Sequence, residues 1–351
     1  MTRPEDLSCP LPLSDHDTVQ LAHGAGGRLT GELIARHLLP RFGNPLLDRL
    51  EDQAVLEAPG GRLALTTDTF VVSPLEFPGG DIGDLAVNGT VNDLAMGGAR
   101  PLYLTVALVL EEGLPLAQLD RILDSMAAAA RRAGVQVVAG DTKVVDRGHG
   151  DGLYVNTTGL GVVPDGLSLG ADRLRPGDAV LLSGSVADHG MAVLATREEL
   201  SFRATIRSDT APLHELAAAL LDACPPGAVR ALRDPTRGGL AATLNEFAAA
   251  AGAGIAVEES AVPVHDDVRA ACEILGIDPL AVANEGKLVA VVDAAAAGDA
   301  LAALRAHPLG REAARIGEVT AEHPGLVTLR TPLGVERILE MPLGLQLPRI
   351  C

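Results

Sequence analysis

Tryptophan is absent from the chain, and other rings are scarce: two Tyr and five Phe among 351 residues, 2% aromatic. Cores built on stacked rings are therefore excluded. With 47% of residues hydrophobic, the interior must close-pack Ala, Leu and Val, and the length points to two domains. Positive charge is also short. Lys and Arg total 28 against 46 Asp and Glu, a formal net charge of −18. That balance argues against a nucleic-acid backbone or an anionic membrane as partner. An anionic substrate would need local help from backbone N–H groups, lysines or metal ions. Long apolar runs are missing as well. The longest, near "PLYLTVALVL", is too short to span a bilayer, and the opening "MTRPEDLSCPLPLSDHD" has no apolar signal-peptide region. A cytoplasmic protein is expected. The four cysteines, Cys9, Cys224, Cys272 and Cys351, are too dispersed for a zinc site or a disulfide framework. Finally, no G-x-x-x-x-G-K-[ST] occurs, so this is not a P-loop protein.

The segments that are present read as an α+β chain. After a Pro- and Asp-rich leader over residues 1–20, "QAVLEAPGGRLALTTDTF" reads as a β-hairpin split at Pro59-Gly60-Gly61. In "DIGDLAVNGTVNDLAMGG", Ile82, Leu85, Ala86, Val91, Leu94 and Ala95 recur at helical spacing, with Gly97-Gly98 as the stop. Strand-like and helical runs alternate from there. They define a first domain over 21–165, a second α/β set over 166–338, and a Pro- and Gly-punctuated tail over 339–351 that ends "LPRIC".

Carboxylates gather at strand ends and beside helices: Asp52 in "LEDQAV", Asp68 in "LTTDTF", Asp93 in "VNDLAMGG", Asp141 in "VAGDTK" and Asp234 in "RDPTRGG". Asp84, Asn88 and Asn92 lie four apart, so they share one helix face, with Asp81 one turn earlier. A solvated helix face accounts for that stripe as well as a site does. Phosphate chemistry accounts for the whole set, because Mg²⁺ takes oxygen ligands and commonly bridges a few carboxylates to substrate phosphates. The glycines of "HGAGG", His23–Gly27, would let backbone N–H groups approach an anion closely, although a plain turn explains them too.

The order "LTTDTF", "VNDLAMGGARP", "GDTKVV", "DPTRGGL", "NEGKLV" and the terminal "PRIC" resembles the superfamily of aminoimidazole ribonucleotide synthetase, formylglycinamidine synthase and selenophosphate synthetase. Within it, the chain is similar to the HypE-type hydrogenase maturation proteins over nearly its whole length from His23. The resemblance implies a two-domain PurM-like fold, with N-terminal strands forming a barrel across a homodimer and a C-terminal α/β layered domain. It implies ATP and Mg²⁺, with Asp52, Asp68, Asp93 and Asp234 where the superfamily holds metal and triphosphate. Asp84, Asn88, Asp141 and Thr142 would lie in the same region, and Gly26 and Gly27 would cover the phosphates. The implied activity is carbamoyl dehydration on the C-terminal cysteine, giving a thiocyanate that supplies cyanide ligands to [NiFe] hydrogenases. The implied partners are a HypF-type carbamoyltransferase and a HypC–HypD-type iron-carrying scaffold. In that chemistry Cys351 carries the reacting group, Glu285 is the base, and Lys143 stabilises the carbamoyl oxygen or the phosphate. Arg237 and His23 are further phosphate contacts, and His189 reads as structural. A thiol at the chain end beside Arg349 is expected to titrate as an ordinary cysteine. A selenophosphate synthetase would place a reactive Cys or Sec in the glycine-rich loop, and "HGAGG" has none.

Overall fold

A computed structural model describes residues 16–25, 27–51, 53–57, 60–200, 206–342 and 349–351. The first domain is a four-stranded sheet of β1 (Arg62–Phe70), β2 (Arg100–Glu111), β3 (Gln136–Val145) and β4 (Leu153–Val163), in the order β1-β4-β2-β3. Only β2 and β3 pair in parallel, because the helix α2 (Leu116–Ala133) crosses over between them; the other pairs are antiparallel. Side chains along β2 and β4 alternate between buried and half-buried, so one sheet face packs against helices while the other stays partly open. The open face carries Leu63 and Leu65 on β1, which are 53% and 73% exposed.

The helix anticipated at the acidic stripe is α1 (Ile82–Met96). Asp81 caps it by accepting hydrogen bonds from the Gly83 and Asp84 amides, and Gly97-Gly98 terminate it, with Gly98 at φ 70°. It is not a surface helix: every residue but Asp93 is buried. The expected hairpin before β1 does not form. Residues 53–57 are largely exposed and carry no strand: β1 meets β4 only from Arg62 onward, and among the described residues no other strand pairs with the preceding run. Residues 28–42, unassigned from the sequence, are helical.

The second domain is a seven-stranded sheet: β5 (Ala179–Leu182), β6 (Val229–Arg233), β7 (Gly254–Glu258), β8 (Val289–Val292), β9 (Ala314–Thr320), β10 (Val327–Arg330) and β11 (Glu336–Ile338). Their order is β11-β10-β7-β9-β5-β8-β6, antiparallel except for β7 with β10. Two apolar clusters flank it. One gathers around Leu240, Leu244 and Phe247 of α5 (Gly239–Ala251). The other gathers around Leu216 and Leu220 of α4 (His214–Ala223) and Ala300 and Leu304 of α7 (Ala297–Ala306). The central strands β5 and β8 are buried throughout, as a sheet covered on both faces requires. Two further helices, α3 (Asp188–Arg197) and α6 (Asp266–Leu275), share a small cluster of their own. Among the described residues no helix is long and apolar enough to cross a membrane.

Candidate active site

Four carboxylates from four elements meet where the two sheets adjoin. Asp68 lies near the end of β1, Asp93 on α1, Asp234 just past β6, and Glu285 in the loop before β8. Thr66 donates a 2.7 Å hydrogen bond to Asp93 Oδ2. Burial raises the pKa of Asp68 and of Asp93, and Arg237 opposes the shift in both. Asp234 is pushed up to about 7, by burial first and then by the charge of Asp93. Glu285 is raised well above the usual carboxylate range by burial and by Asp234, Asp209, Asp68 and Asp93, in that order. A cleft of about 520 Å³, lined in part by Asp93, Arg233, Asp234, Arg237 and Phe247, opens beside the cluster.

The loop that carries Glu285 is fixed on all sides. Asn284 Oδ1 accepts from the Ala187 amide at 2.7 Å, and its Nδ2 donates to the Pro235 carbonyl at 2.9 Å. Asp209 accepts from the Glu285 and Gly286 amides at 3.1 and 3.2 Å and ion-pairs with Lys287 at 3.2 Å. Burial disfavours the Asp209 charge, yet Lys287 and its other partners hold its carboxyl below the ordinary value. Asn92 donates to the Glu285 carbonyl. A Cβ on Gly286 would stand 1.7 Å from the Asp209 carbonyl oxygen, so only glycine fits there. The loop is held by its main chain, leaving Glu285 Oε1 buried without a hydrogen-bond partner.

The chain end lies in the same place. Ile350 is buried in the first domain's core, with Cys351 packed against that core. Burial, Glu285 and Asp68 drive the Cys351 thiol pKa far above its usual value, against an opposing pull from Arg237. The sequence pointed to an ordinary thiol; in this position burial, and after it Glu285 and Asp68, disfavour the thiolate.

The remaining anticipated residues separate into groups. Asp84 pairs with Arg132 and accepts from Asn88 Nδ2, which also reaches Thr210 Oγ1 at 3.1 Å. Asn92 continues the stripe by donating to the Ala211 carbonyl and accepting from the Leu213 amide. The polar stripe of α1 therefore fastens the first domain to residues 208–213, not to solvent. Asp141, Thr142 and Lys143 lie on β3, the sheet edge opposite β1, three strand spacings away or about 14 Å. Lys143 binds both Asp141 oxygens at 2.7 Å and is exposed. The "HGAGG" segment sits at that same edge: a Cβ on Gly24 would meet the Val144 amide nitrogen at 2.4 Å, and Gly27 caps the helix that follows. Asp52 and Gly26 lie outside the described residues. One sequence signal bears on Lys143: of 28 Lys and Arg residues only two are lysines, Lys143 and Lys287. A chain that otherwise uses arginine keeps a compact amine only beside these two carboxylates. Asp209 and Arg197 were also missed, since nothing in "RSDT" or "ATREE" forms a motif.

Among the described residues no three His, Cys, Asp or Glu side chains converge to hold an ion by themselves. The donor set nevertheless suits Mg²⁺, which is commonly bound by one or two carboxylates together with phosphate and water. Enclosed acids with raised pKa values are the chemistry that such a cation would relieve.

Comparison with known proteins places this geometry. The models for the AIR synthase related protein, N-terminal and C-terminal domains, match residues 50–163 and 175–329. The chain is 56% identical over 334 residues to the carbamoyl dehydratase HypE of Azotobacter vinelandii, covering 95% of this chain and 97% of that one. The chain belongs to the HypE family. The Escherichia coli K12 HypE is 49% identical over 340 residues, covering 95% of this chain and 100% of that protein. A crystal structure of a HypE in complex with ATP matches with a TM-score of 0.91 at 49% identity, covering 95% of this chain and 100% of that one. A HypE–HypF complex matches with a TM-score of 0.78 at 47% identity, covering 90% and 100%. The PurM-like two-domain architecture anticipated from the motif order is thereby established.

Proposed function

We propose that the chain is an ATP-dependent carbamoyl dehydratase that converts an S-carbamoyl group on its own Cys351 to a thiocyanate for [NiFe] hydrogenase maturation. The observation that carries this reading is the C-terminal sulfur beside the strongly perturbed carboxyl of Glu285, whose Oε1 is buried without a hydrogen-bond partner. An amide oxygen is a poor leaving group, and the bound nucleotide supplies the phosphoryl group that makes it a good one. This chain's residues supply the rest. The docked tail holds the carbamoyl nitrogen near Glu285, whose carboxyl, raised by burial and by its acidic neighbours, is a stronger base than an ordinary carboxylate once it is ionised. Burial of the site excludes water that would otherwise hydrolyse the activated group. Asp68, Asp93 and Asp234 would hold Mg²⁺ against the triphosphate, and Arg237 would add positive charge.

Loading of the thiol takes place elsewhere. A buried sulfur whose thiolate is disfavoured first by that burial and then by Glu285 is a poor nucleophile, so carbamoylation by a HypF-type partner requires the tail to leave. The modified tail then returns for dehydration and hands the product to a HypC–HypD-type scaffold in the cytoplasm. Lys143 joins the site through a homodimer. The open, apolar face of the first sheet, with Leu63 and Leu65 exposed, favours closure into a barrel with a second copy. Such closure offers the β3 edge of one copy to the acidic cluster of the other. The test separates binding from chemistry. Asp68→Asn should weaken Mg-ATP binding by calorimetry, while Glu285→Gln should bind Mg-ATP normally and lose 10²- to 10⁴-fold in dehydration rate, the usual range for a general base. Normal turnover by Glu285→Gln would remove Glu285 as the base.

A further inference from the structure

The three final carbonyls of the chain are each met by a donor. Ser73 N and Arg197 Nη2 donate to the Arg349 carbonyl, at 3.2 and 2.6 Å. His189 Nε2 stands 2.9 Å from the Ile350 carbonyl oxygen, and Val71 N donates to a terminal oxygen of Cys351 at 3.2 Å. A carbonyl only accepts, so Nε2 of His189 carries the proton. Its Nδ1 then accepts from the Ser208 hydroxyl at 2.8 Å, and Ser208 Oγ in turn accepts from the Thr210 amide. His189 is fully buried and meets Phe77 edge-on, with ring centroids 5.4 Å apart. Its burial holds the ring neutral, as this donor role needs. Arg349 adds a side-chain contact: its Nε donates to the Val71 carbonyl at 3.2 Å, and its Nη2 pairs with Asp151 at 2.8 Å.

We infer that Val71, Ser73, Asp151, His189 and Arg197 form a receptor for the last three residues of the chain, and that His189 and Arg197 are positioning residues fixing which atom of residue 351 faces Glu285. The inference rests on the proposed reaction but concerns how its substrate arm is read. Val71 and Ser73 offer alternate amides, as the edge of a sheet receives an added strand, so they read main chain and not side chain. Ile350 fills an apolar pocket at 4% exposure and prevents slippage by one residue. Asp151 selects a cation at position 349. One helix, α3, supplies both His189 at its first turn and Arg197 at its end, and Arg197 also donates to the Ser73 carbonyl from Nε at 2.8 Å. The docked tail thus ties the second domain's α3 to the first domain's strand end. Arg197 bridges receptor strand and tail in a single guanidinium, which an aliphatic or shorter polar side chain cannot do.

The experiment reads docking without reading catalysis. Full-length protein is exposed to iodoacetamide, and alkylation of Cys351 is timed by peptide mapping, with buried Cys224 and Cys272 as internal reporters of folding. Arg197→Gln and His189→Leu should each raise the Cys351 rate about tenfold or more with Cys272 still protected. His189→Gln, which keeps a donor near the Nε2 position, should restore most of the wild-type protection. On the carbamoylated protein, dehydration at saturating Mg-ATP should fall in the same order with nucleotide affinity unchanged. Inserting one alanine between Ile350 and the final cysteine should abolish dehydration while the thiol still accepts a carbamoyl group. If His189→Leu exposes Cys272, the fold has failed and Arg197→Gln decides. Cys351 alkylation within twofold of wild type in Arg197→Gln and in His189→Leu alike, with no register effect of the insertion, overturns the receptor. Altered alkylation with wild-type dehydration in every variant would leave the receptor standing and overturn the positioning role of His189 and Arg197, whereas no dehydration even in the wild-type protein would count against the proposed function and not against the receptor.

Discussion

Replacing Asp234 by Asn should stabilise the protein, and by an amount that depends on pH. The ordinary carboxyl value of 3.8 rises to about 7 in the fold. The sign follows from proton binding. Below pH 3.8 both folded and unfolded states hold the proton and the burial costs nothing through this group. Between 3.8 and 7 the unfolded chain ionises while the folded carboxyl does not, so folding stability falls as pH rises. Above 7 the loss is complete. A shift of about three units at 1.36 kcal/mol each gives a cost of about 4 kcal/mol. Asparagine keeps the shape and never ionises. The stability gain of Asp234→Asn, measured by guanidinium unfolding at pH 4 and pH 8, should therefore grow by about 4 kcal/mol between the two. Relief of Asp68, Asp93 and Glu285, which share the field, adds with the same sign. Saturating Mg-ATP should narrow the gap, because only the aspartate form gains the cation. An equal difference at both pH values would show that burial and the neighbouring carboxylates do not raise Asp234, and the electrostatic description of the site would fail.

Further consequences can be measured on the same protein. The dehydration rate should rise with pH through a midpoint above the ordinary carboxylate range, since Glu285 acts only when ionised; Asp209→Asn, which removes a neighbouring negative charge, should move that midpoint to lower pH, and a pH-independent rate would count against Glu285. Asp209→Asn should also lose 10-fold or more in rate, because it frees the loop that aims Glu285; unchanged turnover would show that the loop needs no such anchor. Lys143→Ala should leave the fold and midpoint of unfolding unchanged within about 0.5 kcal/mol, since its pair with Asp141 is exposed, yet depress dehydration. An unaffected rate would reduce Lys143 to a surface residue.

What the sequence disclosed, and what it hid, follow different physics. Hydrophobic periodicity located α1, and spacing alone put Asp84, Asn88 and Asn92 on one face, but not which surface that face would meet. The segment 208–213 that covers it is distant in the chain, so burial of the stripe was invisible until the domains were docked. The hairpin over 53–70 failed for a related reason: apolar alternation marks a strand only where a neighbour exists to pair it. Motif order found Asp68, Asp93, Asp234 and Glu285, and the fold brings those four together. It also found Asp141 and Lys143, which a single chain leaves at the far sheet edge. Asp209, His189 and Arg197 act through main-chain atoms of other segments, and a contact with a carbonyl leaves no pattern in the partner's sequence. The scarcity of lysine was the one legible sign that Lys143 and Lys287 differ from the rest of the basic residues.

The central claim is that Cys351 carries the group that is dehydrated. Intact-mass measurement of the protein, carbamoylated by a HypF-type transferase and then given Mg-ATP, tests it most directly when followed by peptide mapping. The account predicts a carbamoyl adduct on Cys351, a loss of one water from that same peptide only after ATP is added, and neither change in Cys351→Ala. An adduct on Cys9, Cys224 or Cys272 that persists in Cys351→Ala, or water loss without ATP, would contradict it.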